Sequence, residues 1–338
     1  MKNDCFIRAC LKKATPYTPI WLMRQAGRYI PEYMELRKNH EIMDICKDPE
    51  LSSQVSTMPI EMFDVDAAII FEDLMVPLEP TGIRFKLVDK VGPVIEKPIL
   101  TGVDIENIKI YDVEEVGFVS DTIKSLKQKV DVPVLGFAGG PFTMACYLID
   151  GVHSENFKKT LSFMKEKPLL WGQLMEKLTT IVINYLEMQI TAGADVIQLF
   201  DTWSGLTEKQ EYIQKVFPYT CKIFEKLDKK TPKIHFTLDS SNIIETVSKS
   251  NCDVLGIGWK TDLSVMWSKI DFSKAIQGNL NPSSLASGGD TLKAETAKIL
   301  NSVAGKTGHI FNLGHGILPE TKPESVRELV DYVHTYNS

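Results

Sequence analysis

The stretch Ala67-Ala-Ile-Ile-Phe-Glu-Asp73 runs five apolar residues straight into two acids. Such a run is short for a helix and suits a strand buried on both faces, as in a parallel sheet covered by helices. The acids then mark where the strand leaves the core. The same form recurs at Ile20 to Met23, Val132 to Phe137, Val196 to Phe200, Ile234 to Phe236, Val254 to Ile257, Ala275 to Gln277 and Ile310 to Leu313, which makes eight runs in all. Longer segments of helical period separate them, and that alternation is the signature of βα units.

Asp48-Pro49-Glu50 opens one such helix, with a capping residue, a Pro at the first helical position and an acid in the first turn. Others are expected at Pro168 to Ala192, Thr207 to Lys229 and Pro323 to Tyr336. From Thr81 to Leu100 the pattern alternates around Val91-Gly92-Pro93, which predicts a β-hairpin inserted after the second strand. No repeat or linker divides the 338 residues. The expectation is an α/β fold, a single-domain (β/α)8 TIM barrel spanning residues 1–338, a length such barrels reach with insertions.

Chemistry in these barrels gathers where strands end and βα loops begin. Polar residues recur there: Arg24-Gln25, Glu72-Asp73, Asp201-Thr202, Gly278-Asn279 and Gly314-His315-Gly316. A net charge of −6 argues against a nucleic-acid surface, because phosphate binding needs Lys and Arg in excess. There is no apolar stretch long enough for a secretory leader or a membrane span. Six cysteines without a CxxC pair point to a reducing cytoplasm.

An anionic ligand therefore has to be met by a local cluster. Only six of the 38 basic residues are Arg, and two of them, Arg24 and Arg28, share one short segment. In a helical turn that spacing puts both guanidinium groups on one side, where they repel unless an anion lies between them. Asp73 is expected to project toward the pocket mouth beside Glu72, as an acceptor for N–H donors or as a helix cap. Tyr147 is either a core tyrosine or a hydroxyl reaching the pocket. His315 has neighbours too small to bury it and suits a donor to a carboxylate or a proton shuttle. His235, inside the run KIHF, reads as a core residue.

Cofactor signatures are absent from the sequence. Gly136-Phe-Ala-Gly-Gly-Pro141 lacks the Lys-Ser/Thr ending of a phosphate loop, and Gly256-Ile-Gly258 is only part of a dinucleotide fingerprint. No metal is expected: Thr237 stands where a His-x-Cys pair beginning at His235 would need sulfur.

PIWLMRQAGRYIPEY (19–33) and GFAGGPFTMACYLIDG (136–151) resemble the two signature segments of the uroporphyrinogen decarboxylase family. DAAIIFEDLMVPLEPTG, QLFDTWSG, IQGNLNP and NLGHGILPETKPE follow in that family's order. The resemblance implies a (β/α)8 barrel, a homodimer, that converts the four acetate side chains of uroporphyrinogen III to methyls, giving coproporphyrinogen III without cofactor or metal. It further implies that Arg24 and Arg28 bind substrate carboxylates, that Asp73 accepts the four pyrrole N–H groups, and that Tyr147, Thr202 and His315 line the cleft. Two departures stand out: Asp150, where Ala or Glu is usual, and Gly258, where many members have Asp. A zinc methyltransferase on the same barrel and a non-catalytic tetrapyrrole carrier are the alternatives.

Overall fold

Backbone amides buried among apolar side chains need partners, and the short apolar runs find theirs in one another. The computed structural model describes residues 3–88 and 91–336. Its strands are β1 (Ala68–Ile69), β2 (Phe85–Val88), β3 (Gly92–Ile95), β4 (Val134–Gly139), β5 (Val196–Phe200), β6 (Lys233–Thr237), β7 (Val254–Ile257), β8 (Ala275–Gln277) and β9 (His309–Ile310). Seven of them form one parallel sheet in the order β1-β4-β5-β6-β7-β8-β9. Ala68 pairs with Val134, Leu135 with Val196, Ile234 with Val254 and Ile276 with His309. Spatial order thus follows chain order, as successive βα units require.

The sheet is curled. On its inner side Gln277 of β8 donates to Gln198 of β5 at 3.0 Å, across two intervening strands. A flat sheet would hold strands three places apart at roughly 14 Å. Trp21 joins the same chain of bonds, its indole N–H donating to Gln277 at 2.9 Å.

The run at Ile20 to Met23 does not form a regular strand. Only Ile20 makes a parallel bridge, to Phe311. Phe311 N–H donates to Pro19 O at 2.8 Å on one side, and Asp66 N–H donates to Ile20 O at 2.7 Å on the other. Side chains replace the remaining ladder bonds. Asp66 accepts from Ile20 N at 2.8 Å, Gln25 donates to Ala67 O at 2.9 Å, and Asn312 accepts from Met23 N at 3.1 Å. Apolar character marks the position of this segment, but side-chain amides and a carboxylate complete its pairing.

Elsewhere the differences have local causes. Asp48 caps the helix Pro49–Phe63 by accepting from Glu50 N and Leu51 N, and Pro168–Ala192 ends at Gly193 with φ +113°. The helix expected over Thr207 to Lys229 is two, Lys209–Lys215 and Phe217–Lys226, broken at Val216. Pro218 lies in the first turn of the second; its ring excludes a continuing helix, and it has no N–H to donate. β2 and β3 pair antiparallel, with Phe85 opposite Ile95 and Val88 opposite Gly92. Asp89 and Lys90, within the stretch read as a hairpin, lie outside the described residues. The first extended segment packs Ile20 and Leu22 into a cluster with Val326, Leu329 and Val330 of the helix Pro323–Thr335.

Candidate active site

Arg24 follows the segment held by Gln25 and Asn312, and its backbone is left-handed, with φ +62°. A non-glycine residue there interrupts any helix. The expected helical turn carrying Arg24 and Arg28 on one side is therefore absent: two successive turns close instead, Gln25 N–H on Leu22 O and Ile30 N–H on Gly27 O. Gln25 is buried and structural, with Oε1 accepting from Leu22 N and its backbone O accepting from the Tyr29 hydroxyl. Both arginines are exposed.

Asp73 sits beyond β1 and is half-buried. Its Oδ1 accepts from Met75 N at 2.9 Å, starting the short 3-10 helix Val76–Thr81. The capping role is real, but it occupies one oxygen; no described residue donates to the other. Burial raises the Asp73 carboxyl above its ordinary range, partly offset by the Met75 N–H and the Arg24 guanidinium. Arg24 is thus within electrostatic reach of Asp73 without closing an ion pair on it. Glu72 points elsewhere. It accepts from the Tyr185 hydroxyl at 2.9 Å, against the helix Pro168–Ala192, and burial raises it well above a normal carboxyl.

His315 is also within electrostatic reach of Arg24. A Cβ placed on Gly316 would fall 2.4 Å from Arg24 Cδ, so the Arg24 side chain rests directly on this glycine. Gly316 N–H donates to His315 Nδ1 at 2.7 Å, which leaves the ring proton on Nε2. Burial first, then the fields of Arg24 and His153, depress the imidazole to about 4. At neutral pH His315 is a neutral N–H donor.

Tyr147, on the helix Pro141–Asp150, accepts from the Trp203 indole N–H at 3.2 Å. Burial keeps its phenol protonated, and its own O–H remains to donate. Phe157 and His153 complete an aromatic group: Phe157 stands edge-on to Tyr147 at 5.6 Å, and His153 lies 5.3 Å from Trp203. Arg24, Asp73, Tyr147 and His315 are thereby brought together. No recorded contact joins Arg28 or the Thr202 hydroxyl to them. In the sequence Trp203, within QLFDTWSG, is marked only by its place beside the Asp201-Thr202 strand end. His153 has no such mark, since nothing local identifies a loop histidine as a neighbour of residues distant in sequence.

His235 faces the helical layer, 5.5 Å from Phe224 and 3.9 Å from Asp201. Among the described residues no group of three His, Cys, Asp or Glu side chains is placed to hold a metal ion.

The sequence matches the family model described as uroporphyrinogen decarboxylase over residues 1–336. The chain belongs to the uroporphyrinogen decarboxylase family. It is 42% identical over 336 residues to the uroporphyrinogen decarboxylase of Geobacter sulfurreducens, covering 98% of each chain. It is 40% identical over 340 residues to that of Carboxydothermus hydrogenoformans, covering 99% of this chain and 97% of the relative. Among solved structures, a methyltransferase from Methanosarcina mazei superposes with a TM-score of 0.77 at 22% identity, over 96% of this chain and 95% of that one. At that identity the likeness concerns the fold alone.

Gly258 and Asp150 each have a local structural role. A Cβ on Gly258 would fall 1.8 Å from Leu238 O, so no larger residue fits this backbone. Asp150 is a clasp, accepting from Thr160 N at 2.9 Å and Thr160 Oγ1 at 2.6 Å.

Proposed function

We propose that this chain is a cofactor-independent uroporphyrinogen decarboxylase, a carboxy-lyase that converts the four acetate side chains of uroporphyrinogen III to methyls and releases four CO2. The observation that supports this reading best is the unpaired opposition of Asp73 and Arg24. Among the described residues one Asp73 oxygen has no donor and the Arg24 guanidinium has no ion-pair partner, so both are available to a ligand carrying N–H groups at its centre and carboxylates at its rim.

The chemistry asks for that arrangement. A pyrrole acetate loses CO2 once protonation of the adjacent ring carbon turns the ring into an iminium-like electron sink. The C–C bond pair then flows toward the ring nitrogen, protonation of the exocyclic carbon gives the methyl, and the ring carbon returns its proton. The substrate supplies the sink that a cofactor supplies elsewhere. Asp73 accepts the pyrrole N–H groups and opposes the developing cation. Arg24 and Arg28 hold carboxylates, and Tyr147, Thr202 and His315 line the cleft as further donors. His315, neutral at physiological pH, is poorly suited to be the acid, which favours Arg24 or a water it orients as the proton source.

The finer architecture belongs to the same proposal. The segment bonded to both Phe311 and Asp66 serves as the eighth stave, closing a (β/α)8 barrel with the β2–β3 hairpin inserted, as one domain over residues 1–338. The working form is a homodimer in the cytoplasm; six free thiols suit a reducing compartment. No described helix is long and apolar enough to cross a membrane. Anaerobic incubation of metal-stripped protein with uroporphyrinogen III, then oxidation and chromatography, tests the function. Products with seven, six, five and four carboxyls are expected; unchanged octacarboxylate overturns the reading. Light scattering during size exclusion tests the dimer.

A further inference from the structure

The segment 151–157 leaves the helix that carries Tyr147 and is fixed at both ends. At one end Gly151, with φ +85°, ends the helix, its carbonyl accepts from Ile95 N at 2.7 Å, and Val152 bridges antiparallel to Val94. At the other, Phe157 is fully buried against Tyr147 and Trp203. Between these anchors His153 is exposed to solvent, yet its ring lies 5.3 Å from Trp203 and 5.7 Å from Phe157. Short fixed ends and two aromatic contacts limit where the imidazole can go.

Its position relative to the charged groups matters more. The fields of Arg24 and of His153 both reach His315, and the His153 ring lies against Trp203, whose indole N–H donates to the Tyr147 hydroxyl, so His153 stands at the edge of the same group of residues. A uroporphyrinogen carries eight carboxylates, more than two arginines can hold. An imidazole offers an N–H donor in either protonation state.

We propose that His153 is a specificity-determining residue that binds a peripheral carboxylate of the substrate, at the edge of the cleft beside Trp203 and Tyr147. This rests on the decarboxylase reading. Through Val152, the β2–β3 pair then acts as the brace that holds this contact in place. The role is recognition, so its loss falls on binding more than on the chemical step.

The test is KM and kcat for uroporphyrinogen III, together with binding of uroporphyrin III, the oxidised octacarboxylate, followed by quenching of protein fluorescence. His153→Ala is expected to lower kcat/KM about tenfold, mostly through KM, and to weaken uroporphyrin III binding by a similar factor. His153→Gln, which keeps an N–H donor, should recover most of the loss, whereas His153→Phe, which keeps only ring packing, should not. Wild-type behaviour of His153→Ala, or full rescue by His153→Phe, overturns the proposal and leaves the decarboxylase reading standing. A wild-type chain that neither turns over uroporphyrinogen III nor binds uroporphyrin III overturns both.

Discussion

Gly316→Ala is the smallest change that separates the position of Arg24 from its chemistry. The added methyl would lie 2.4, 2.8 and 2.9 Å from Arg24 Cδ, Cγ and Nε. Ordinary carbon contacts are about 3.5–4.0 Å, so the Arg24 side chain has to move by roughly 1 Å or more. All three clashing atoms belong to a flexible side chain and none to backbone, and the Gly316 backbone is not left-handed. The fold should therefore survive, with a melting temperature within a few degrees of wild type. A displacement of about 1 Å in a positioning group costs on the order of a hundredfold in rate, or about 2.7 kcal/mol of transition-state stabilisation. The assay is kcat/KM for uroporphyrinogen III beside Gly117→Ala, a control whose Cβ meets nothing within 4 Å. A folded Gly316→Ala enzyme within threefold of wild type would refute the assignment of Arg24, because its guanidinium would then tolerate displacement.

Four further outcomes are expected. Asp73→Asn keeps a polar group but loses the charge and should abolish turnover. In the wild type, burial raises the Asp73 carboxyl, so kcat/KM should fall with decreasing pH at a value above the ordinary aspartate range near about 3.9; an acid limb at that ordinary value contradicts the assignment. His309, buried with Nε2 donating to Gly278 O at 2.9 Å, is depressed to about 4. Its folded value lies below its unfolded one, so its contribution is present above about pH 6.5 and is lost as pH falls toward 4, amounting to about 2 kcal/mol at pH 5. Urea midpoints at pH 7 and pH 5 should converge in His309→Gln, and an unchanged gap would assign the acid sensitivity elsewhere. Tyr185→Phe removes the donor to Glu72 and should cost about 1–2 kcal/mol of stability with activity retained; a loss of activity at full stability would place Glu72 in the chemistry.

What could be read in the chain beforehand follows from how local each cause is. Strands β5, β7 and β8 stand at the expected residues because an apolar run between breakers is a local signal. The helix Pro49–Phe63 begins where Asp48 caps it for the same reason. Ile20 to Met23 behaves otherwise, since its partners are the Asn312 and Asp66 side chains, distant in sequence, and no pattern within the segment announces them. The arginine pair shows the same limit. Four-residue spacing suggests one helical face, but Arg24 is left-handed, and the next residue, Gln25, is clasped to Ala67 O, a partner distant in sequence. Asp73 and His315 are candidates in the sequence because strand-end position is itself a local property. His153 and Trp203 are not, because their neighbourhood exists only once the βα loops converge.

That convergence also explains why two adjacent acids have opposite fates. Consecutive residues at the end of a strand point to opposite sides. Glu72 turns toward the helix Pro168–Ala192, where its solvation is replaced by one phenol donor and it is held toward the neutral form. Asp73 turns toward the mouth, where Met75 N–H and the Arg24 field counter the cost of burial. Burial raises both carboxyls, and what divides them is their partners: a phenol on the helix for Glu72, a backbone N–H and a nearby guanidinium for Asp73. Under the decarboxylase proposal the row of N–H groups is therefore met at Asp73, while Glu72 is bonded to the wall behind it. Exchanging the two side chains would put a longer arm at the mouth and leave the Tyr185 hydroxyl short of its partner. The double variant Glu72→Asp/Asp73→Glu should accordingly lose both stability and turnover, although the number and type of charges stay the same.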